Sequence, residues 1–218
     1  MKKKVIIIDN SNLSYSGDDI NGVTLRGTET SLILLAEQFV RVGIDVDFCN
    51  NILDTKVVNG VKYFNKKEID KSKLYNLAIA VSDANQFDNV NALKKAVFSN
   101  SNQPFEKFLR KKQLIPFLKH KPVLVTLCNY QYHKRSFLTS FYGKRMIPIT
   151  VDPKFLNIYI DLEYLPKKKV VYNIRSNRNL DWLLDIWCKK IFPFNKDFEL
   201  YITPNIINYS DKLRSQNV

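Results

Sequence analysis

The residues best placed to do chemistry are those of Leu25-Arg26-Gly27-Thr28-Glu29-Thr30-Ser31-Leu32. From Thr30 to Val42, apolar residues fall at Leu32, Leu35, Ala36, Phe39 and Val40, close to the spacing of one helix face. The first turn of such a helix has free N–H groups and carries roughly half a positive charge. That end suits a phosphate or a sugar oxygen. Gly27 allows a backbone conformation that a Cβ would hinder, and Thr28 can cap the helix with Ser31 three positions on. The plain alternative is that Gly27 merely turns the chain. For the loop alone that alternative is favoured, since one glycine is far weaker than a glycine-rich fingerprint. The preceding loop weighs on the other side. Asn10 to Thr24 is long and polar and holds Gly17 and Gly22. A loop of this kind at a strand's carboxyl end more often binds than fills.

The elements that must position this stretch follow from the apolar pattern. Val5-Ile6-Ile7-Ile8 is a β-branched run, expected as a strand buried on both faces. Gly43 closes the helix, and Ile44-Asp45-Val46-Asp47-Phe48 alternates like the next strand. Asn59-Gly60 between apolar runs is a hairpin signal. Leu77 to Val81, Lys95 to Phe98 and Pro122 to Cys128 read as further strands, each leaving into a polar segment. Phe105 to Lys112 reads as a basic helix interrupted at Pro116, Lys134 to Tyr142 as a helix ended by Gly143, and Met146 to Asp152 as the last extended piece of the first half. Polar exits after Ile8, Val81, Phe98 and Cys128 point to an α/β fold. Its parallel, doubly wound, Rossmann-like sheet carries a cleft at the carboxyl ends of its strands. The rhythm restarts at Val170 to Ile174, then a helix with Leu180, Leu183, Leu184, Trp187 and Ile191 on one face, then Phe198 to Ile202. This predicts a first domain over 1–157 and a partial second β-α-β unit with a tail over 158–218.

The chain has 218 residues and a net charge of +13. Hydrophobic residues make up 45%, enough for an ordinary core. Cys49, Cys128 and Cys188 are far apart and read as buried, reduced thiols of an intracellular protein. No cysteine or histidine pair has metal-ligand spacing, so no metal is expected. The basic start ahead of Val5 leads into a strand rather than a signal peptide, and no apolar stretch is long enough to span a bilayer. The positive charge suits a solvated surface first and contact with an anionic membrane face second. Nucleic acid comes last, because no arginine-rich arm or reading motif is present.

Three segments resemble glycosyltransferase family 4. Arg26 to Leu32 with Leu35-Ala36-Glu37 and Gly43 is similar to that family's first loop and helix. Ile147-Pro148 with Val151-Asp152 and Phe155 is similar to its interdomain segment, with Ile149 and Thr150 in place of Asn-Gly. Arg175 to Leu184 with Trp187 resembles the start of its second domain, with Arg178 where lysine is common and Asn179 where glycine is usual.

The resemblance implies the GT-B fold, two Rossmann-like domains across a cleft. It implies a hexosyltransferase-type transfer of sugar from a nucleotide-sugar donor with retention of configuration, and neither metal nor other cofactor. The acceptor would be a glycan, a lipid-linked molecule or a protein. Gly27 and Thr28 would approach the donor diphosphate or the transferred sugar, and Arg175 and Arg178 would neutralise the departing diphosphate. Asp83, Asn100 and Tyr130 would line the acceptor side, with local loop capping the competing role for each. No catalytic residue is assigned. The family's paired glutamates have no counterpart in the second domain, which implies a partner chain or self-association to complete it. The competing reading is a non-catalytic glycan- or nucleotide-binding protein. The expected location is cytoplasmic, with peripheral contact at a membrane surface.

Overall fold

The computed structural model describes residues 2–21, 25, 27–101, 105–134, 141–148, 168–172 and 179–202. The chain divides into two compact units, Met1–Val151 and Asp152–Val218.

The first unit is α/β. Its strands are β1 (Lys4–Ile8), β2 (Asp45–Asn50), β3 (Lys56–Val58), β4 (Val61–Asn65), β5 (Leu74–Val81), β6 (Asn91–Ser99), β7 (Val123–Thr126) and β8 (Lys144–Met146). They form one sheet in the order β3-β4-β2-β1-β5-β6-β7-β8. Every pairing is parallel except β3 with β4. The arrangement is compatible with a Rossmann-like doubly wound fold. From β1 the chain builds outward through β2 to β4, then crosses back to β5 and builds the other way. The strand order therefore reverses between β1 and β5, where ligands enter open α/β sheets.

Both faces of the sheet are covered, which explains the unbroken apolar run of β1. Val5 and Ile7 pack with Leu32, Ile33 and Ala36 of α1 (Gly27–Arg41). Ile6 and Ile8 belong to a second cluster with Phe87, with Phe108 of α2 (Phe105–Arg110) and with Phe117 of α3 (Leu114–His120). Gly43 ends α1 at φ 82°, with its N–H on the Val40 carbonyl and the Ile44 N–H on that of Phe39. This is the double bond of a Schellman stop. Asn59 and Gly60, at φ 50° and 80°, make the expected β3–β4 turn. A Cβ on Gly60 would lie 2.7 Å from Val40 Cγ1, so the hairpin needs that glycine to lie against α1.

Several elements differ from the sequence expectation. β6 starts at Asn91, because pairing with β5 extends it through the polar Lys94 and Lys95. Pro116 sits in the first turn of α3 and does not break it, since no intrahelical donor is needed there. A helix, α4, spans Asn129–Lys134, and residues 135–140 of the helix expected over Lys134 to Tyr142 lie outside the described residues. The strand β8 ends at Met146, and residues 149–152 of the extended piece expected over Met146 to Asp152 lie outside the described residues. Asp47 is buried although β2 alternates, because both strand neighbours and the Tyr75 hydroxyl enclose it. Cys49 is buried, whereas Cys128 and Cys188 are exposed.

In the second unit, β9 (Lys169–Tyr172) pairs in parallel with β10 (Glu199–Ile202). Between them runs α5 (Leu180–Ile186), which continues into a wider π-type turn over Trp187–Ile191. No helix among the described residues is long and apolar enough to cross a membrane.

Candidate functional site

Parallel strands bring their carboxyl ends to one edge. Around the β1–β5 reversal that edge holds Asp9, the loop after it, the first turn of α1, and the exits of β5 and β6. The Asp9 N–H is held by the Cys49 carbonyl at 2.9 Å, continuing the β1–β2 ladder. Its carboxylate is buried at 4% exposure. Oδ1 accepts from the Ser11 N–H at 3.0 Å, and Oδ2 from the Ser11 hydroxyl at 2.7 Å and the Tyr15 hydroxyl at 2.6 Å. Tyr15 packs its ring edge-on against Phe48. Burial first, then the charge and hydrogen bond of Asp9, push its phenol well above the ordinary value.

The long polar loop is pinned over its described part, up to Asn21. Asn50, at the end of β2, donates from Nδ2 to the Tyr15 carbonyl at 2.7 Å and accepts from the Ile52 N–H at 2.8 Å. Asp19 accepts from the N–H and hydroxyl of Ser16, just ahead of the short 3-10 helix Gly17–Asn21. A Cβ on Gly17 would meet Val58 Cγ1 at 2.9 Å, so this glycine permits a close approach to the β3–β4 hairpin.

Gly27 is the first residue of α1 and is exposed. A Cβ there would meet nothing within 4 Å, and its φ is not left-handed. The expectation that the backbone needs a glycine here is therefore corrected: the absent side chain leaves open space and relieves no strain. Nor does Thr28 cap the helix from outside, because it lies within α1. Its hydroxyl accepts from Asn100 Nδ2 at 2.9 Å, tying α1 to the exit of β6. Ser31 turns back to the Gly27 carbonyl at 2.6 Å. Glu29, which follows Thr28, is 4% exposed. Glu29 Oε2 and Asn100 Oδ1 are buried acceptors with no hydrogen-bond partner among the described residues.

Gly27, Thr28 and Asn100 are thus brought together. Asp83 follows β5 on the same edge, but its carboxylate is taken up by the neighbouring chain and by Gln113, 30 residues on. Oδ1 accepts from the Asn85 N–H and side chain and from Gln113 Nε2, and Oδ2 from Gln86 Nε2. Burial opposes its ionisation, yet these bonds outweigh burial and hold the carboxyl below its usual value. Tyr130 stands 61% exposed on α4 and is not part of this cluster. Arg175 and Arg178 lie outside the described residues. Asn179, beside them, has φ 61° and ψ 29° at the entrance to α5.

Residues that the sequence reading gave no role are Asp9, Ser11, Tyr15, Asn50, Glu29, Lys66 and Lys107. Lys66 Nζ donates to Asn10 Oδ1 at 3.0 Å and Lys107 Nζ to the Ser101 hydroxyl at 2.6 Å, placing a cation at each side of the edge. The signal for Asp9 was its position directly after a buried strand. Ser11, Tyr15 and Glu29 lie in the loop and helix start that the sequence singles out but carry no individual signal, and nothing local gives Asn50, Lys66 or Lys107 a role. Among the described residues no His/Cys/Asp/Glu group could hold a metal ion.

A separate cleft of about 260 Å³ opens at the opposite, amino edge of the sheet, between Lys4, Asp45, Asp47, Lys62, Lys73 and Tyr75. There Asp47 Oδ2 accepts from the Tyr75 hydroxyl at 2.6 Å and from Lys73. Comparisons with protein-family models, with curated proteins and with solved structures return no match.

Proposed function

We propose that the chain is a glycosyltransferase of the GT-B kind, similar to family 4, acting on a nucleotide-sugar donor and a hydroxyl-bearing acceptor. The observation that carries this reading is the open start of α1. A Cβ on Gly27 would meet nothing within 4 Å, its two chain neighbours apart, at the carboxyl edge beside the strand-order reversal, where a ligand can approach backbone N–H groups. Two further observations support it. The unpartnered acceptors Glu29 Oε2 and Asn100 Oδ1 suit the hydroxyl donors of a sugar. Asn179 stands where the resembled family has glycine, and it adopts the left-handed backbone that favours glycine. In this reading Gly27 and Thr28 meet the donor, Asn100 faces the acceptor side, and Arg175 and Arg178 take the charge of the leaving diphosphate.

A second reading, a non-catalytic glycan- or nucleotide-binding protein of the same build, draws on the engaged carboxylates. All four oxygens of Asp9 and Asp83 accept hydrogen bonds from their own loops, which leaves neither group set to move a proton. Donor hydrolysis separates the two. A transferase releases nucleoside diphosphate slowly from its donor sugar in water alone. A binding protein holds the same nucleotide without release.

A further inference from the structure

Residues 105–121 form a helical pair whose inner and outer faces differ sharply. Inside, Phe108 of α2 and Phe117 of α3 meet edge-on with centroids 5.0 Å apart and are almost fully buried. Outside, four large apolar side chains stand in solvent: Phe105 and Leu109 on α2 at 45% and 44% exposure, Ile115 and Leu118 on α3 at 75% and 54%. Each pair is three or four residues apart and so shares a helix face. Six basic residues are threaded among them, Lys107, Arg110, Lys111, Lys112, Lys119 and Lys121, against a single acid of the segment, Glu106. Lys119 pairs with Asp88 and Lys107 donates to Ser101, so the cationic ring rests on Arg110, Lys111, Lys112 and Lys121. Lys112 and Lys121 end their helices in the left-handed conformation, at φ 53° and 48°.

A solvated face explains the lysines but not four exposed bulky apolar residues in one hairpin. A protein interface explains the apolar residues, but its core is depleted in lysine. Apolar side chains ringed by Lys and Arg on short amphipathic helices match the requirements of the boundary between lipid headgroups and acyl chains. We infer that the outer face of α2 and α3 docks on an anionic lipid bilayer, with Phe105, Leu109, Ile115 and Leu118 entering the interface and the basic ring meeting the headgroups. The inference goes beyond the glycosyl-transfer reading and does not depend on it. α2 begins a few residues after Asn100, so a docked bilayer lies close in the chain to the β6 exit.

The test is flotation of the full chain with vesicles of phosphatidylcholine, with and without phosphatidylglycerol, followed with salt. The expected result is binding to the anionic vesicles only, weakened but not abolished by raised salt, because the apolar part is not screened. Replacing Ile115→Ser and Leu118→Ser together removes it. Arg110→Glu, Lys111→Glu and Lys112→Glu together weaken it roughly tenfold or more. Leu118→Trp strengthens it at an unchanged melting temperature, which separates the gain from misfolding that exposes the core. Three results overturn the proposal: no binding to anionic vesicles, binding indifferent to Ile115 and Leu118, or a self-associated chain that Ile115→Ser and Leu118→Ser dissociate.

Discussion

Asn100 and Thr28 stand 72 residues apart in the chain, yet the amide of one donates to the hydroxyl of the other at 2.9 Å. This bond fixes the start of α1 against the exit of β6, and so sets the width of the carboxyl edge where a ligand would lie.

A double-mutant cycle measures that tie. Thr28→Val and Asn100→Ala are each expected to lower stability by about 1 kcal/mol. Their combination should fall short of the sum by about 0.5–1 kcal/mol. Urea midpoints at constant slope give the values. Full additivity would mean that the bond does not contribute in solution.

Alkaline pH acts on three buried phenols. Tyr15, Tyr63 and Tyr75 are pushed above their ordinary value, in each case by burial first and by neighbouring carboxylates after it. Their unfolded value is near 10. Below it both states hold the protons, so the stability due to these groups is fully present. Above it the unfolded chain loses protons that the folded chain keeps, and stability falls. With three such groups the slope approaches roughly 4 kcal/mol per pH unit above pH 10. Urea midpoints between pH 8 and 11, read beside phenolate absorbance, check this. Tyr15→Phe should make the slope shallower by about a third. It also leaves Asp9 short of a donor, at a cost of about 1–3 kcal/mol.

Asn179 holds a left-handed backbone at the entrance to α5, where a Cβ is costly. Asn179→Gly should therefore leave the melting temperature unchanged or raise it, and Asn179→Val should lower stability by about 1–2 kcal/mol. Equal effects of glycine and valine would contradict the assigned conformation.

Much of the fold is legible in the sequence because its signals are local. The run at Ile6, the Asn59-Gly60 turn and the stop at Gly43 each report a property of a few neighbouring residues. The expected parallel order followed from polar exits after successive apolar runs. Misreadings arose where a distant partner decided the outcome. β6 extends through Lys94 and Lys95 because β5 offers a ladder. Asp47 is buried because Tyr75, 28 residues on, supplies a donor. Cys128 is exposed although it follows an apolar strand, because the chain leaves the sheet at Thr126. At the candidate site the glycine was visible but its reason was not, since open space beside Gly27 is a fact of packing. The Asp9–Tyr15 bond depends on how a polar loop closes, and the Asn100–Thr28 bond on how β6 is placed. Neither has a sequence period.

The measurement that tests the glycosyltransferase reading most directly is calorimetric titration of the full chain with UDP, GDP and ADP, without added metal. The account predicts that one of them binds. Gly27→Trp, which fills the open space at the start of α1, removes that binding and leaves the melting temperature nearly unchanged. Arg175→Ala with Arg178→Ala weakens the diphosphate far more than the corresponding nucleoside. No binding of any of the three, or binding indifferent to Gly27→Trp, would contradict it.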